Sequence, residues 1–205
     1  MEDKRMDQIH LKFADQYRSH WVKVKFYKEK PELMGIKKVK GLRFCEAMRQ
    51  AIVSPILLER SNVSCPGGRH AFGWGSESSQ SSKDEVRMFN KRTLTPPLPQ
   101  LSNGYNFIGL NTEGIPDLLL SYVLPQTAMD LIRKSCERNG NVFNTMLCTK
   151  MPICAGVAVR SYTEQKLALS FGSPESRQYA DMGPNYVAVG IPRKLFQFYL
   201  DEDRS

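Results

Sequence analysis

The stretch "DLLLSYVLPQTAMDLIRKSCERNG", residues 117–140, constrains the fold more than any other part of the chain. Its first residues, rich in leucine and valine, read as a buried strand. Pro125 then opens a helix, because its fixed φ suits a first turn and its missing N–H has no partner to lose there. Arg133, Lys134 and Arg138 gather toward the far end, where cations meet the negative pole of the helix dipole, and Gly140 stops it. The same alternation of types recurs along the chain. "HWVKVKFY" alternates apolar and polar residues as a half-buried strand does. In "LRFCEAMRQAI", Cys45, Met48 and Ile52 recur at helical spacing, with Phe44, Ala47 and Ala51 widening the face. "ILLER", "NVFNTML", "KLALSFG" and "NYVAVGI" are further strand candidates. "ICAGVAVRSY" begins a helix, and "PRKLFQFYLDE" closes as an amphipathic one. Strands mixed with helices predict an α/β or α+β fold, a mixed sheet with flanking helices.

A chain of 205 residues buries a core as one domain spanning 1–205. A faint internal echo runs strand, helix, strand and cysteine-containing turn, and outlines two similar halves, 21–74 and 116–162. Between them, 75–104 reads as a long loop, serine-rich at first and then rich in proline. Hydrophobic residues at 41% and charged residues at 24% are ordinary for a soluble globular protein. No apolar run approaches the roughly 20 residues of a membrane span. The first residues carry no apolar signal-peptide core, so a cytoplasmic address is expected, with no membrane partner. The net charge is +8, much of it in "KVKFYKEKPELMGIKKVKGLRF". Lysines alternating with Val22, Val24 and Phe26 suggest the wet face of an edge strand. No recognition-helix, zinc-finger or RNA-binding signature accompanies them, so nucleic acid is not an expected partner.

The five cysteines carry the chemistry. An odd number in a chain of this character argues against a disulfide framework and leaves thiols free to bind metal or to react. Cys45 lies on the helix above, Cys65 stands before Pro66-Gly67-Gly68, and Cys148 and Cys154 share "LCTKMPICAG". Thiolates hold iron–sulfur clusters and zinc, often with four ligands from distant segments. Gly67, Gly68 and Gly156 would let backbone approach such a group and point N–H groups at sulfur. The chain has no Cys-x-x-Cys, and cysteine is often a small buried hydrophobe. That bland reading fits Cys136 and, from its helix alone, Cys45. Two other chemistries remain open. Cys65 would be a nucleophile activated by Arg69 or His70. Alternatively, a non-catalytic pocket between the halves would take a small anion, with Arg43, Arg69 and Arg160 as contacts. Neither "GWGS" nor "NGYNFIGLN" fits a phosphate-cradling loop.

At "GLRFCEAMRQAI", "SCPGG", "PDLLLSYVLPQTAMDLIRK" and "ICAGVAV…LALSFGSPESR…YVAVGIP" the chain resembles the ArCR family, catalogued as domain of unknown function 169 and found widely in anaerobic bacteria and archaea. The likeness runs from about Trp21 to about Leu200. It implies no established activity, but its motifs fall on Cys45, Cys65 and Cys154. Members of the family often carry another cysteine in the strand matching "LALSFGS", where this chain has Ser170, Phe171 and Gly172. The resemblance therefore leaves three arrangements: Cys148 as fourth ligand, a cluster with an open iron, or a site without metal. The expectation is a cysteine-ligated metal or iron–sulfur protein acting in redox chemistry or metallocofactor handling. Cys45, Cys65, Cys154 and Cys148 would be the ligands, an iron–sulfur cluster the cofactor ahead of zinc, and a redox or metallocofactor protein the partner. A homo-oligomer is compatible with this reading.

Overall fold

The structure is a computed structural model that describes residues 2–36, 39–75, 100–101, 104–138, 140–148 and 150–200. Along the chain run α1 (Glu2–Tyr17), β1 (Trp21–Tyr27), α2 (Phe44–Ala51), β2 (Ile56–Glu59), α3 (Pro66–Ala71), β3 (Phe107–Leu110), β4 (Leu118–Val123) and α4 (Pro125–Arg138). A π-helical segment, Cys154–Val159, continues as α5 (Arg160–Glu164). Then follow β5 (Ala168–Ser170), α6 (Pro174–Ala180), β6 (Val187–Pro192), a 3₁₀ turn at Arg193–Leu195, and α7 (Phe196–Leu200).

The strands form one six-stranded sheet in the order β2-β3-β1-β4-β6-β5. Helices flank the sheet as the sequence implies. Each pairing between its strands is antiparallel, rather than a mixture of the two senses. Period-2 alternation then sorts the side chains onto two faces. Val22, Val24, Phe26, Leu118 and Leu120 face a core completed by α2, α3 and the π-helical segment. Trp21, Leu119, Val123, Val189 and Ile191 face a second core completed by α1, α4 and α7. Of the echoing halves, 21–74 places α2 on the first face and 116–162 places α4 on the second.

Several elements differ from expectation, each for a physical reason. β1 is a central strand, not an edge, with β3 and β4 on its two sides. Its lysines are accommodated by partners. Lys23 Nζ meets Asp7 Oδ1 of α1 at 2.9 Å, and Lys25 Nζ lies 5.2 Å from the Tyr27 ring centre. β3 lies inside what the sequence reads as a connection. It is four residues long and interrupted by Gly109, where a Cβ would stand 2.9 Å from the Tyr27 ring. Residues 141–147 form no strand. Arg160 Nη1 instead ties this segment down by donating to the Met146 carbonyl at 2.6 Å. Helices α1, α3 and α6 were not expected. Residues 76–99 and 102–103 of the expected long loop lie outside the described residues. The ends of that loop are tied to the fold, with Leu101 N donating to Ala71 O at 2.8 Å and Trp74 Nε1 to Tyr105 O at 2.7 Å. Among the described residues, no helix is long and apolar enough to cross a membrane.

Candidate functional site

Three cysteines from three elements meet at one cavity on the first face. Cys45 comes from the first turn of α2, Cys65 from the position capping α3, and Cys154 from the start of the π-helical segment. The cavity measures about 450 Å³, and Gly67, Gly68, Met151, Ser173 and Ser176 also line it. Arg43 and Lys150 stand at its wall as cations, and Glu175 as the one carboxylate among its lining residues.

Local sequence explains each placement. Cys65 has an extended backbone and accepts a hydrogen bond at Sγ from the Gly68 amide at 3.0 Å, as a serine or aspartate would at a helix start. Pro66 follows in the first turn, where its missing N–H leaves nothing unpaired. The close approaches that the glycines permit are to protein. A Cβ at Gly68 would lie 2.9 Å from Cys65 Sγ, and one at Gly67 would lie 2.7 Å from Met151 Cγ. Met151 itself adopts a left-handed backbone, φ 50°, which a bulky side chain takes only under constraint. Its carbonyl accepts from the amides of Ala155 at 3.0 Å and Gly156 at 3.1 Å, and from Cys154 Sγ at 3.7 Å. The wide π turn that begins at Cys154 rests on that carbonyl. π-Helical turns occur often at functional sites.

Burial dominates the electrostatics. It pushes the Cys45 thiol up to about 11, with the neighbouring Cys65 adding to the effect. Burial pushes Cys154 higher still, again with Cys65 and Cys45 adding. These thiols hold their protons at neutral pH unless something positive replaces them. Among the described residues, no three Cys, His, Asp or Glu side chains converge on a point that would hold a metal ion. The three cysteines line a cavity instead.

The remaining expected residues divide clearly. Arg43 lines the cavity and stacks 3.9 Å from the Tyr179 ring centre. Arg69 is not among the lining residues, and its Nε donates to Val63 O at 2.7 Å. Nor is His70, whose ring burial pushes toward neutrality. Arg160 is buried away from the cavity, bound to Met146 O and to Glu164 Oε1 at 2.9 Å. Cys148 is buried outside it, behind Gly156, where a Cβ would lie 3.1 Å from Cys148 Cβ. Cys136 sits on α4, on the other face of the sheet from α2. Ser170 is fully buried, and its Oγ accepts from the Gly172 amide at 3.1 Å.

Sequence reasoning missed Tyr122. Its hydroxyl is buried and has no hydrogen-bond partner among the described residues. Burial, with Cys45 and Cys154 close by, pushes this phenol far above its ordinary range. The available signal was its phase in β4, two residues beyond Leu120 and so on the same face as the cysteines.

Fold and site together define an α+β protein with a cysteine-lined pocket on one face of an antiparallel sheet. The chain belongs to the family described as Uncharacterised ArCR, domain of unknown function 169, which it matches over residues 14–201. No curated protein and no solved structure matches it.

Proposed function

We propose that the pocket binds a thiophilic inorganic group through Cys45, Cys65 and Cys154, and that the protein acts in redox chemistry or metallocofactor handling. The observation that carries this reading is the convergence of three thiols, far apart in sequence, on one cavity of about 450 Å³. A lone zinc needs its sulfurs about 2.3 Å from a common point. Thiols spread around a volume suit an iron–sulfur cluster better, because a cluster presents several separate ligand positions. The donor set fits such a group chemically: the Cys45 and Cys154 thiols, kept protonated by burial, become ligands when a cationic centre displaces the proton. Cys148, buried outside the cavity, is left without a ligand role in this reading.

A second reading has one observation in its favour. The Gly68 amide already donates to Cys65 Sγ, which would stabilise a nucleophilic thiolate there. Against it, neither Arg69 nor His70 lines the cavity.

The test is chemical analysis of protein purified without oxygen and without added metal. Iron, zinc, acid-labile sulfide and the visible spectrum are measured for the native protein, Cys65→Ser and Cys154→Ser. Iron with sulfide in the native protein, lost in both variants, is the expected result. Equal metal content in all three proteins sinks the reading. Rapid alkylation of Cys65 alone, in native protein that neither contains nor takes up metal, transfers support to the nucleophile.

A further inference from the structure

The cysteine-lined cavity offers more than sulfur. At about 450 Å³ it falls in the range of small-molecule pockets, roughly 300–1,000 Å³. Away from the cysteines its lining is mostly apolar, with Phe44, Pro66, Met151, Pro152 and Ile153. Pockets of that kind fix their ligand through a few polar groups. Arg43 is the group best prepared for this. It is half-buried at the start of α2, two residues before Cys45, and it lines the cavity. Its guanidinium carbon lies 3.9 Å from the centre of the Tyr179 ring, which comes from α6. A guanidinium laid over a ring is held by a cation–π contact and keeps its N–H edge for another partner. Among the described residues no carboxylate takes that edge. Glu175, the carboxylate of the lining, forms no ion pair with Arg43. Hydrogen bonds from its own amide and from Ser173 hold the Glu175 carboxyl below its usual range, with Arg43 the smallest contributor. Asp181, at the far end of α6, pairs instead with Arg49 at 2.8 Å.

We infer that the cavity also takes a small organic acid, its carboxylate received by Arg43 and its body lying beside the group held by the cysteines. The inference rests on the thiophilic reading of the site and adds to it a class of substrate. The guanidinium presents paired N–H groups in one plane, and a planar carboxylate matches them with two parallel hydrogen bonds. A tetrahedral anion of the same charge matches them less well. The apolar stretch of the lining suits the carbon skeleton of such an acid. Arg43 thereby becomes the residue that orients the acid toward the thiols.

The experiment uses arylmercurials, which can carry a thiophilic atom and an acid group on one ring. Each reacts with a thiol by forming a mercury–sulfur bond as chloride leaves and the thiol proton passes to solvent. Cys136→Ser protein, which lacks the half-buried cysteine of α4, is freed of metal with a chelator. It is then treated with para-chloromercuribenzoate, with the sulfonate analogue, or with phenylmercuric chloride. The sulfonate carries the same charge in tetrahedral form and so controls for the net charge of +8. Ultraviolet absorbance gives the rates, and mass spectrometry of peptides gives the modified cysteines. The carboxylate probe should react about tenfold faster than either other probe at the cavity cysteines, the scale of one charge-assisted pair at a half-buried site. Arg43→Gln in the same background should abolish that preference and leave the rate of the uncharged probe unchanged. If the carboxylate probe has no advantage, or keeps it in Arg43→Gln, the inference fails, and iron and sulfide uptake still decides the thiophilic reading. If Arg43→Gln slows all three probes alike, Arg43 only shapes the pocket and the inference fails. If no probe modifies Cys45, Cys65 or Cys154, the thiophilic reading fails and this inference with it.

Discussion

The Gly68 amide and the Cys65 sulfur hold each other in place: the amide donates to Sγ at 3.0 Å, and a Cβ on residue 68 would stand 2.9 Å from that sulfur. The clearance requires residue 68 to lack a side chain. Replacing a helical glycine by alanine ordinarily adds up to about 1 kcal/mol of stability. In Gly68→Ala that gain is offset by turning the thiol aside, so Tm should stay within about 4 °C of native. Iron and sulfide uptake should fall sharply. Full uptake by a folded Gly68→Ala protein would show that the sulfur's position does not matter to the site.

Gly190 plays the corresponding part between sheet and π-helical segment. A Cβ there would lie 2.9 Å from Val157 Cγ1 and 3.3 Å from the Val157 carbonyl oxygen. Backbone cannot swing aside as a side-chain tip can. Gly190→Ala should lose about 1–3 kcal/mol, the usual cost of overpacking a filled core. Urea denaturation measures it, and an unchanged midpoint would mean that the segment sits further from β6 than described.

Helix α1 lies almost wholly ahead of the family match, which begins at residue 14, yet Phe13 is fully buried. Its ring packs edge-on against Trp21 at 5.2 Å and Phe196 at 5.9 Å between ring centres. Phe13→Ala should cost about 3–5 kcal/mol, as large buried aromatics do. A loss below about 1 kcal/mol would show that α1 is an accessory to the second core rather than part of it.

His10 gives the fold a pH dependence. Its Nε2–H donates to the Trp21 carbonyl at 2.5 Å, and burial pushes its pKa down, with that hydrogen bond opposing, Lys23 lowering it further and Asp7 opposing again. A histidine with a lowered folded pKa stays neutral where the unfolded chain already takes a proton. The unfolded state binds more protons, so stability rises with pH in that window. Tm should therefore fall as pH drops below about 6.5, and His10→Gln should fall less steeply. Identical pH profiles for the two proteins would refute the assignment.

Much of the first core was legible because period and phase are local properties. Phe44, Ala47, Met48 and Ala51 announce the buried face of α2, although Ile52, expected on it, follows the helix and is exposed, and "SCPGG" announces a turn. Three of the four expected ligands do line one cavity, and that much of the site could be read from motifs. Register could not. β1 looks like an edge because its lysines alternate with valines, and nothing within its seven residues reveals that Asp7 of α1 accommodates Lys23. β3 was hidden by Gly109, whose lack of a side chain makes sense only against Thr112 and Tyr27, both of which a Cβ would meet. Cys148 and Cys154 are six residues apart, yet Gly156 and the π turn put them in different surroundings. Tyr122 was overlooked because a tyrosine in a strand is unremarkable until its hydroxyl is found without a partner.

The position of β1 also bears on how the molecule comes into being. Its two neighbours, β3 and β4, begin at Phe107 and Leu118, so the strand that ends as the middle of the sheet leaves the ribosome long before either. Until then its backbone donors and acceptors have no sheet to join. Local helices can form on the nascent chain, but pairings between segments so far apart must wait for loop closure, which makes folding slow. The lysines of β1 keep the waiting strand charged and so hinder it from pairing with another chain.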